Sequence, residues 1–354
     1  LEFAKAKSSR NRDAMSQPQP YVGPKPFAFE DQKFFFGRDR EENDLLALIQ
    51  AHPVVVLYAQ SGAGKTSLLE AKLVPALYGL KAEVFRGVRV GGHLPPGIDT
   101  NQVSNVFVFN AVMTLRPNPG DAHQLTQTTL PEAFGVAQKV PPVVASNPAS
   151  AKVVKLEVEP LRVAIFDQFE EIFTSHPQRW ADRKGFFEQV AKALQGDPFL
   201  HVVFAIREEY LGSLLPHAND VPGRLRVGLR LERLRRESAL EAVVNPLRET
   251  ERSFAPRAAE LLVDNLLSNA EFIEPLHLQV VCRNLWQSLE PATKIITTDS
   301  IQSYGDLDTA LGGYYEECIA KTVTAKKIGE ATLRNWFGNE LILPGNKRNL
   351  VYQD

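Results

Sequence analysis

Val54-Val-Val-Leu-Tyr-Ala59-Gln-Ser61-Gly62-Ala63-Gly64-Lys65-Thr66-Ser67 decides the architecture. Its first five residues are an unbroken, mostly β-branched apolar run, the pattern of a strand covered on both faces. A glycine-rich turn follows directly, and Thr66 to Leu77 reads as a helix. Strand, glycine turn and helix in this order are the context in which G-x-x-x-x-G-K-[ST] forms a phosphate-binding loop. Gly62 and Gly64 let backbone N–H groups curl around a phosphate where a Cβ would block the approach, and the helix start adds favourable partial charge. The stretch from Ser61 through Gly62, Ala63 and Gly64 to Lys65, Thr66 and Ser67 is therefore the expected cradle for ATP or ADP. Lys65 is expected to reach the β- and γ-phosphates, and the Thr66 hydroxyl to serve Mg²⁺. Ala59 stands where the pattern has its first glycine. That glycine only begins the turn, and a small alanine fits there.

Upstream, four prolines in residues 16–26 give way to an apolar anchor, Phe27-Ala-Phe29 and Phe34-Phe-Phe36. Glu41 to Gln50 is a predicted helix with acids in its first turn, and His52-Pro53 ends it. Downstream, two further buried strands are predicted. Val163-Ala-Ile-Phe166 runs into Asp167, and His201-Val-Val-Phe-Ala-Ile206 runs into Arg207, with an amphipathic helix near Arg183–Leu194 between them. Strands alternating with helices give an α/β fold with a parallel sheet. Between residues 83 and 160 the pattern is weak: Val84–Val90 and Val106–Leu115 read as strand or helix pieces, and Gln138–Ala151 as a flexible excursion. After Leu231 helix follows helix, at Glu237–Val244, Arg257–Leu267, Leu276–Leu289 and Leu307–Thr322, with no strand signal. Ala258, Leu261, Leu262 and Leu266 mark one apolar face, and Leu278, Val281, Cys282 and Leu285 another. Residues 333–354 read as one more helix and a small hairpin at Pro344-Gly345-Asn346.

Asp167 closes an apolar strand, the end of an open α/β sheet at which ligand groups gather. It is the expected second magnesium residue, acting through water. Glu170 and Glu171 follow within a turn, and either could orient an attacking water; alternatively the pair is a solvated helix start. Gln168 holds the place where many related ATPases carry a catalytic glutamate, so hydrolysis is expected to be slow. Arg207 is a candidate reporter of the γ-phosphate, or else an ion-pair partner of Glu208 or Glu209.

A formal net charge of -2 with 44% apolar residues describes an ordinary globular chain and argues against nucleic acid as a partner. The basic run Arg224, Arg226, Arg230, Arg233, Arg235, Arg236 is interrupted by acids and lacks interleaved aromatics, so it reads as a solvated or interdomain face. Cys282 and Cys318 lack metal or redox spacing and are expected to be buried thiols in a reducing cytoplasm. No apolar run is long enough to span a membrane, and the first twenty residues lack the apolar core of a signal peptide. A cytoplasmic location is expected. Residues 1–14 read as a cloning remnant ahead of a native start at Met15.

With these residues in place, the chain resembles the STAND NTPases, signalling ATPases related to AAA+ proteins and NLR immune receptors, particularly their novel bacterial branch. Tyr21-Val-Gly-Pro-Lys-Pro-Phe27, Phe35-Phe-Gly-Arg38, the loop through Leu69, Phe166-Asp-Gln-Phe-Glu-Glu-Ile-Phe173, Ala205-Ile-Arg207, Pro275-Leu-His-Leu-Gln279 and Leu285-Trp286 carry the resemblance. It implies a three-layer P-loop sheet domain over 21–230 after a disordered tail at 1–20, a helical lid-like domain over 231–325, and the start of a winged-helix domain over 326–354. It further implies that Phe36, Gly37 and Arg38 lie beside the adenine, that Arg207 acts as sensor 1, and that Pro246 stands at the family's glycine–x–proline motif, here without its glycine. The implied behaviour is a nucleotide latch: ADP holds the parts closed, and ATP lets them open and self-associate, in bacterial defence or signalling. A sensor or effector beyond residue 354, or on a partner protein, would complete it. Two other readings share the fold: a scaffold locked on ADP with little turnover, and an AAA+ ATPase acting on DNA.

Overall fold

The computed structural model describes residues 18–116, 122–135, 159–268, 270–304, 307–343 and 347–348. The expected excursion at 138–151, the proposed remnant at 1–14 and the turn 344–346 lie outside them. By internal contacts the chain forms two units, Pro26–Leu234 and a second that unites the residues through Lys25 with those from Arg235 onward.

The first unit contains, in chain order, α1 (Asp39–Ala51), β1 (Val54–Ala59), a helix α2 over 65–79, β2 (Glu83–Val88), α3 (Val106–Leu115), β3 (Arg162–Phe166), α4 (Asp182–Gly196), β4 (Leu200–Arg207) and β5 (Gly228–Arg230). The five strands form one parallel sheet in the order β2-β3-β4-β1-β5. Successive side chains of a strand point to opposite faces, so each buried run feeds two cores. Val55, Leu57, Val163, Ile165, Val203 and Ala205 pack with Leu45 and Ile49 of α1 and with Leu68, Leu73 and Leu77 of α2. Val54, Val56, Ala164, Phe166, Val202 and Phe204 pack on the other face with α3 and with Phe186, Phe187 and Val190 of α4. Helices on both faces make the three layers.

The second core is built on aromatic rings. Phe169 stacks on Phe204 with centroids 4.2 Å apart, and Phe166, Phe186 and Phe187 surround the pair edge-on or tilted. Removing the Phe204 ring leaves a cavity that such a rigid cluster cannot collapse. Phe204→Ala is therefore expected to cost about 3–5 kcal/mol, measured as a fall in the denaturant midpoint of the sheet unit.

Three local features correct, settle or refine the sequence reading. The run Arg224–Arg236 contains an edge strand, β5; three residues with an exposed glycine and an exposed arginine at its ends give no apolar signal. Val106–Leu115 is a helix, because the Asn105 side chain caps it by accepting from the N–H groups of Phe107 and Val108. Its largely apolar sequence has no clear period, since the helix is buried nearly all round. Helix α2 begins as an α-turn, Lys65–Leu68, widens to a π-turn, Leu69–Leu73, and resumes as Val74–Gly79.

The second unit is mainly helical: α5 (Arg236–Val244), α6 (Ala258–Leu267), α7 (Pro275–Ser288), α8 (Thr298–Tyr304), α9 (Leu307–Lys326) and α10 (Glu330–Trp336). Strand pairing is nevertheless present. Ser253–Phe254 pairs in parallel with Ile295–Ile296, and Ile342–Leu343 pairs antiparallel with Lys347–Arg348, each too short to leave a periodic trace. On α6 the buried residues are Ala258, Ala259, Leu262 and Val263, a face rotated from the predicted one, so that Leu261 and Leu266 are only half-buried. On α7 the predicted Leu278, Val281, Cys282 and Leu285 are all buried. Tyr21 is enclosed in this unit: its hydroxyl donates to the Val243 carbonyl at 2.5 Å and its ring meets Trp286 edge-on. Cys282 is buried and Cys318 half-buried, both as free thiols. Among the described residues no helix is long and apolar enough to cross a membrane.

Candidate functional site

Register assembles the site at the carboxyl edge of the sheet. Ala59, the last residue of β1, lies opposite Arg207, the last residue of β4. On the other side of β4, Phe166 pairs with Phe204, so Asp167 emerges at the same edge. The turn after β1 brings Gly62 (φ 81°) and Gly64 (φ 98°) into left-handed conformations that residues with a Cβ seldom adopt, and Gly64 caps the start of α2.

The residues predicted to hold magnesium meet directly: the Thr66 hydroxyl donates to Asp167 Oδ2 at 2.9 Å, across 101 residues of sequence. The other Asp167 oxygen accepts from the Gln168 N–H. Lys65 Nζ donates to the Ala59 carbonyl at 3.2 Å, which folds the side chain back over the loop. Burial pushes the Lys65 ammonium below its ordinary pKa; Glu170 and Asp167 pull it back up, and Arg207 opposes them. The ammonium has three donors and the Ala59 carbonyl takes one, so phosphate oxygens can take the others.

The two glutamates have separate environments. Glu170 is buried, at 6% exposure, and Arg207 holds it: Arg207 Nε lies 2.9 Å from Oε1, and the Arg207 backbone N–H donates to Oε2 at 3.3 Å. Arg207 thus pairs with Glu170 rather than with Glu208 or Glu209, and Glu208 pairs with Arg230. Glu171 faces away, bound by Arg89 through both carboxylate oxygens and by the Gly91 N–H. Neither is a solvated helix start. Gln168 is exposed, sits at φ 51°, and also accepts from Arg89. Arg89 was invisible in the sequence, where a lone arginine after a weak strand has no pattern.

Ser61 is exposed and Ala63 buried. Ser67 is turned from the loop, its Oγ accepting from the Phe27 N–H at 3.1 Å. Phe36 is half-buried and Gly37 is left-handed at φ 80°. Arg38 is buried at 3% exposure, and its guanidinium donates to the carbonyls of Ala63 and Glu232 and to Glu41 Oε1. Its donors brace the phosphate loop from behind. Arg38→Ala would strand these acceptors and is expected to cost about 3 kcal/mol, read as a lowered melting temperature. Pro246 belongs to the other unit, where it is buried in the first turn of the 3₁₀ segment Asn245–Glu249.

The matched family profile is that of Novel STAND NTPase 1, and it covers residues 20–348. The chain belongs to this family. The assembled edge is accordingly the candidate nucleotide site of this NTPase. Among solved structures, the Walker-type ATPase PABY2304 of Pyrococcus abyssi shares 15% identity at a TM-score of 0.50, over 90% of this chain and 80% of that one. The Aeropyrum pernix ORC2 protein, solved as ADPNP–ADP complexes, shares 13% at 0.51, over 89% and 82%. At such identities the likeness is one of fold. No curated protein matches the chain.

Proposed function

We propose that this STAND NTPase binds ATP or ADP with Mg²⁺, hydrolyses ATP slowly, and uses the bound nucleotide to switch between a closed state and an open, self-associating one. The observation that carries the binding half is the 2.9 Å contact of Thr66 with Asp167 beneath a left-handed glycine loop. Among the described residues no three His, Cys, Asp or Glu side chains converge as a metal cage. A site of this composition suits an ion that completes its shell with phosphate oxygens and water, as Mg²⁺ does. The ion, when bound, neutralises phosphate charge.

The chain's own residues supply the rest. The loop N–H groups and Lys65 orient the phosphates, Thr66 and Asp167 offer oxygens to the ion, and Glu170 is the group assigned to orient water. Of the two glutamates Glu170 is favoured, because it shares the buried edge with Lys65 and Arg207 while Glu171 is turned away. Its pairing with Arg207 supports slow turnover, since the carboxylate must exchange that partner for water before it can act. Defence or regulation is the biological setting that the resemblance implies.

The test begins with the nucleotide released on denaturing purified protein, identified by chromatography, followed by phosphate release from added MgATP. Bound ADP with slow turnover is the expected pair. Bound ADP without turnover would leave a nucleotide-locked scaffold, and a protein that neither carries nor binds nucleotide would sink the proposal.

A further inference from the structure

We infer that Arg89 is a positioning residue for the hydrolytic step, fixing the turn from which Glu170 projects although it does not touch Glu170. The inference rests on the assignment of Glu170 given above. The turn 167–171 is anchored on one side by the sheet and core: the Asp167 N–H donates to the Val88 carbonyl, the Phe169 N–H donates to the Ala205 carbonyl, and the Phe169 ring stacks on Phe204. On its other side, the side chains that leave the turn are those of Gln168 and Glu171, and Arg89 binds both. Its Nη2 donates to Gln168 Oε1 at 2.6 Å and to Glu171 Oε1, and its Nε donates to Glu171 Oε2 at 3.1 Å.

This clamp has work to do. Gln168 sits at φ 51°, a left-handed conformation unfavourable for a residue with a Cβ. Left alone, the turn would relax and carry Glu170 with it. The clamp is itself seated: the Arg89 N–H donates to Thr114 Oγ1 of α3, and Gly91 packs so closely that an added Cβ would lie 2.6 Å from Glu171 Oε2. A rigid fork that bridges a strained residue and a carboxylate suits arginine and not lysine, which lacks the second arm. Arg89 thereby ties the end of β2 to the geometry of the nucleotide edge.

The experiment measures steady-state ATP hydrolysis of the full chain for Arg89→Ala, Arg89→Lys, Glu171→Gln and Glu170→Gln, with melting temperatures recorded. Misplacement of a reacting group by about an ångström costs on the order of 10²-fold. Arg89→Ala is therefore expected to lower kcat by roughly 10- to 100-fold with KM for ATP within about twofold, and Arg89→Lys to fall between. Glu171→Gln, which keeps the shape but weakens the clamp, should lower kcat in the same direction and decides the matter if Arg89→Ala does not fold. Wild-type kcat in a folded Arg89→Ala protein would overturn the inference, as would a rise in KM equal to the loss in kcat/KM. If Glu170→Gln alone loses turnover, this inference fails and the assignment of Glu170 stands; if Glu170→Gln turns over normally, the assignment itself fails and this inference with it.

Discussion

Lys65→Ala is expected to weaken nucleotide binding by roughly 100-fold, about 3 kcal/mol for charge-assisted bonds from one ammonium to phosphate, with no loss of fold. The reason lies in what Lys65 does without a ligand. Its single hydrogen bond goes to the Ala59 carbonyl, and burial holds its pKa down, so the free protein bears a desolvation cost at this position that phosphate binding relieves. Removing the ammonium relieves the same cost in the unliganded state. The variant should therefore melt at or slightly above the wild-type temperature without nucleotide, and below it when MgADP is added. Titration with a fluorescent ADP analogue and melting with and without MgADP measure both. A Lys65→Ala protein that binds like wild type would remove the loop from the centre of the function; one that melts far lower without ligand would make Lys65 structural.

What could be read in advance followed from how local each signal is. Val54–Ala59 as a strand, the loop after it and Asp167 at the end of β3 depend on neighbouring residues, and their types alone carry the chemistry. The meeting of Thr66 with Asp167 followed from the expectation that both serve the same ion. Three other features depended on register, which no local pattern encodes. Arg207 faces Glu170 because β4 lies between β1 and β3, and 37 residues separate the pair in sequence. Arg89 meets Glu171 because β2 pairs with β3 on the opposite edge of the sheet. Strand β5 is held by backbone bonding to β1, including Val56 N–H to the Val227 carbonyl, and so needs no apolar sequence of its own. Arg38 marks a different limit. The resemblance implied a place for it beside the adenine, whereas its buried bonds, to the carbonyls of Ala63 and Glu232 and to Glu41 Oε1, depend on the fold around it.

Glu170→Gln separates binding from turnover. Glutamine keeps the size of the side chain and one carbonyl oxygen, so the Arg207 N–H retains an acceptor, but the ion pair with the guanidinium is lost and a neutral amide cannot take a proton from water. A group acting as general base contributes on the order of 10²- to 10⁴-fold to rate, and kcat is expected to fall within that range. KM for ATP should stay near wild type, because the phosphate contacts belong to the loop, Lys65 and Thr66. Two secondary effects bear on the size of the loss. Losing the Glu170 carboxylate removes the largest influence that raises the Lys65 pKa, so the ammonium would be held further down, and binding would weaken at alkaline pH first. Arg207, released from its partner, becomes available to a terminal phosphate, which would tighten ATP relative to ADP. A Glu170→Gln protein that binds ATP at least as tightly as wild type but turns it over on the order of 10²-fold more slowly would therefore hold the triphosphate state long enough for its oligomeric state to be measured by sizing. If it instead turns over normally while Glu171→Gln does not, the base lies on the other side of the turn, and the Glu170–Arg207 pair is a strut.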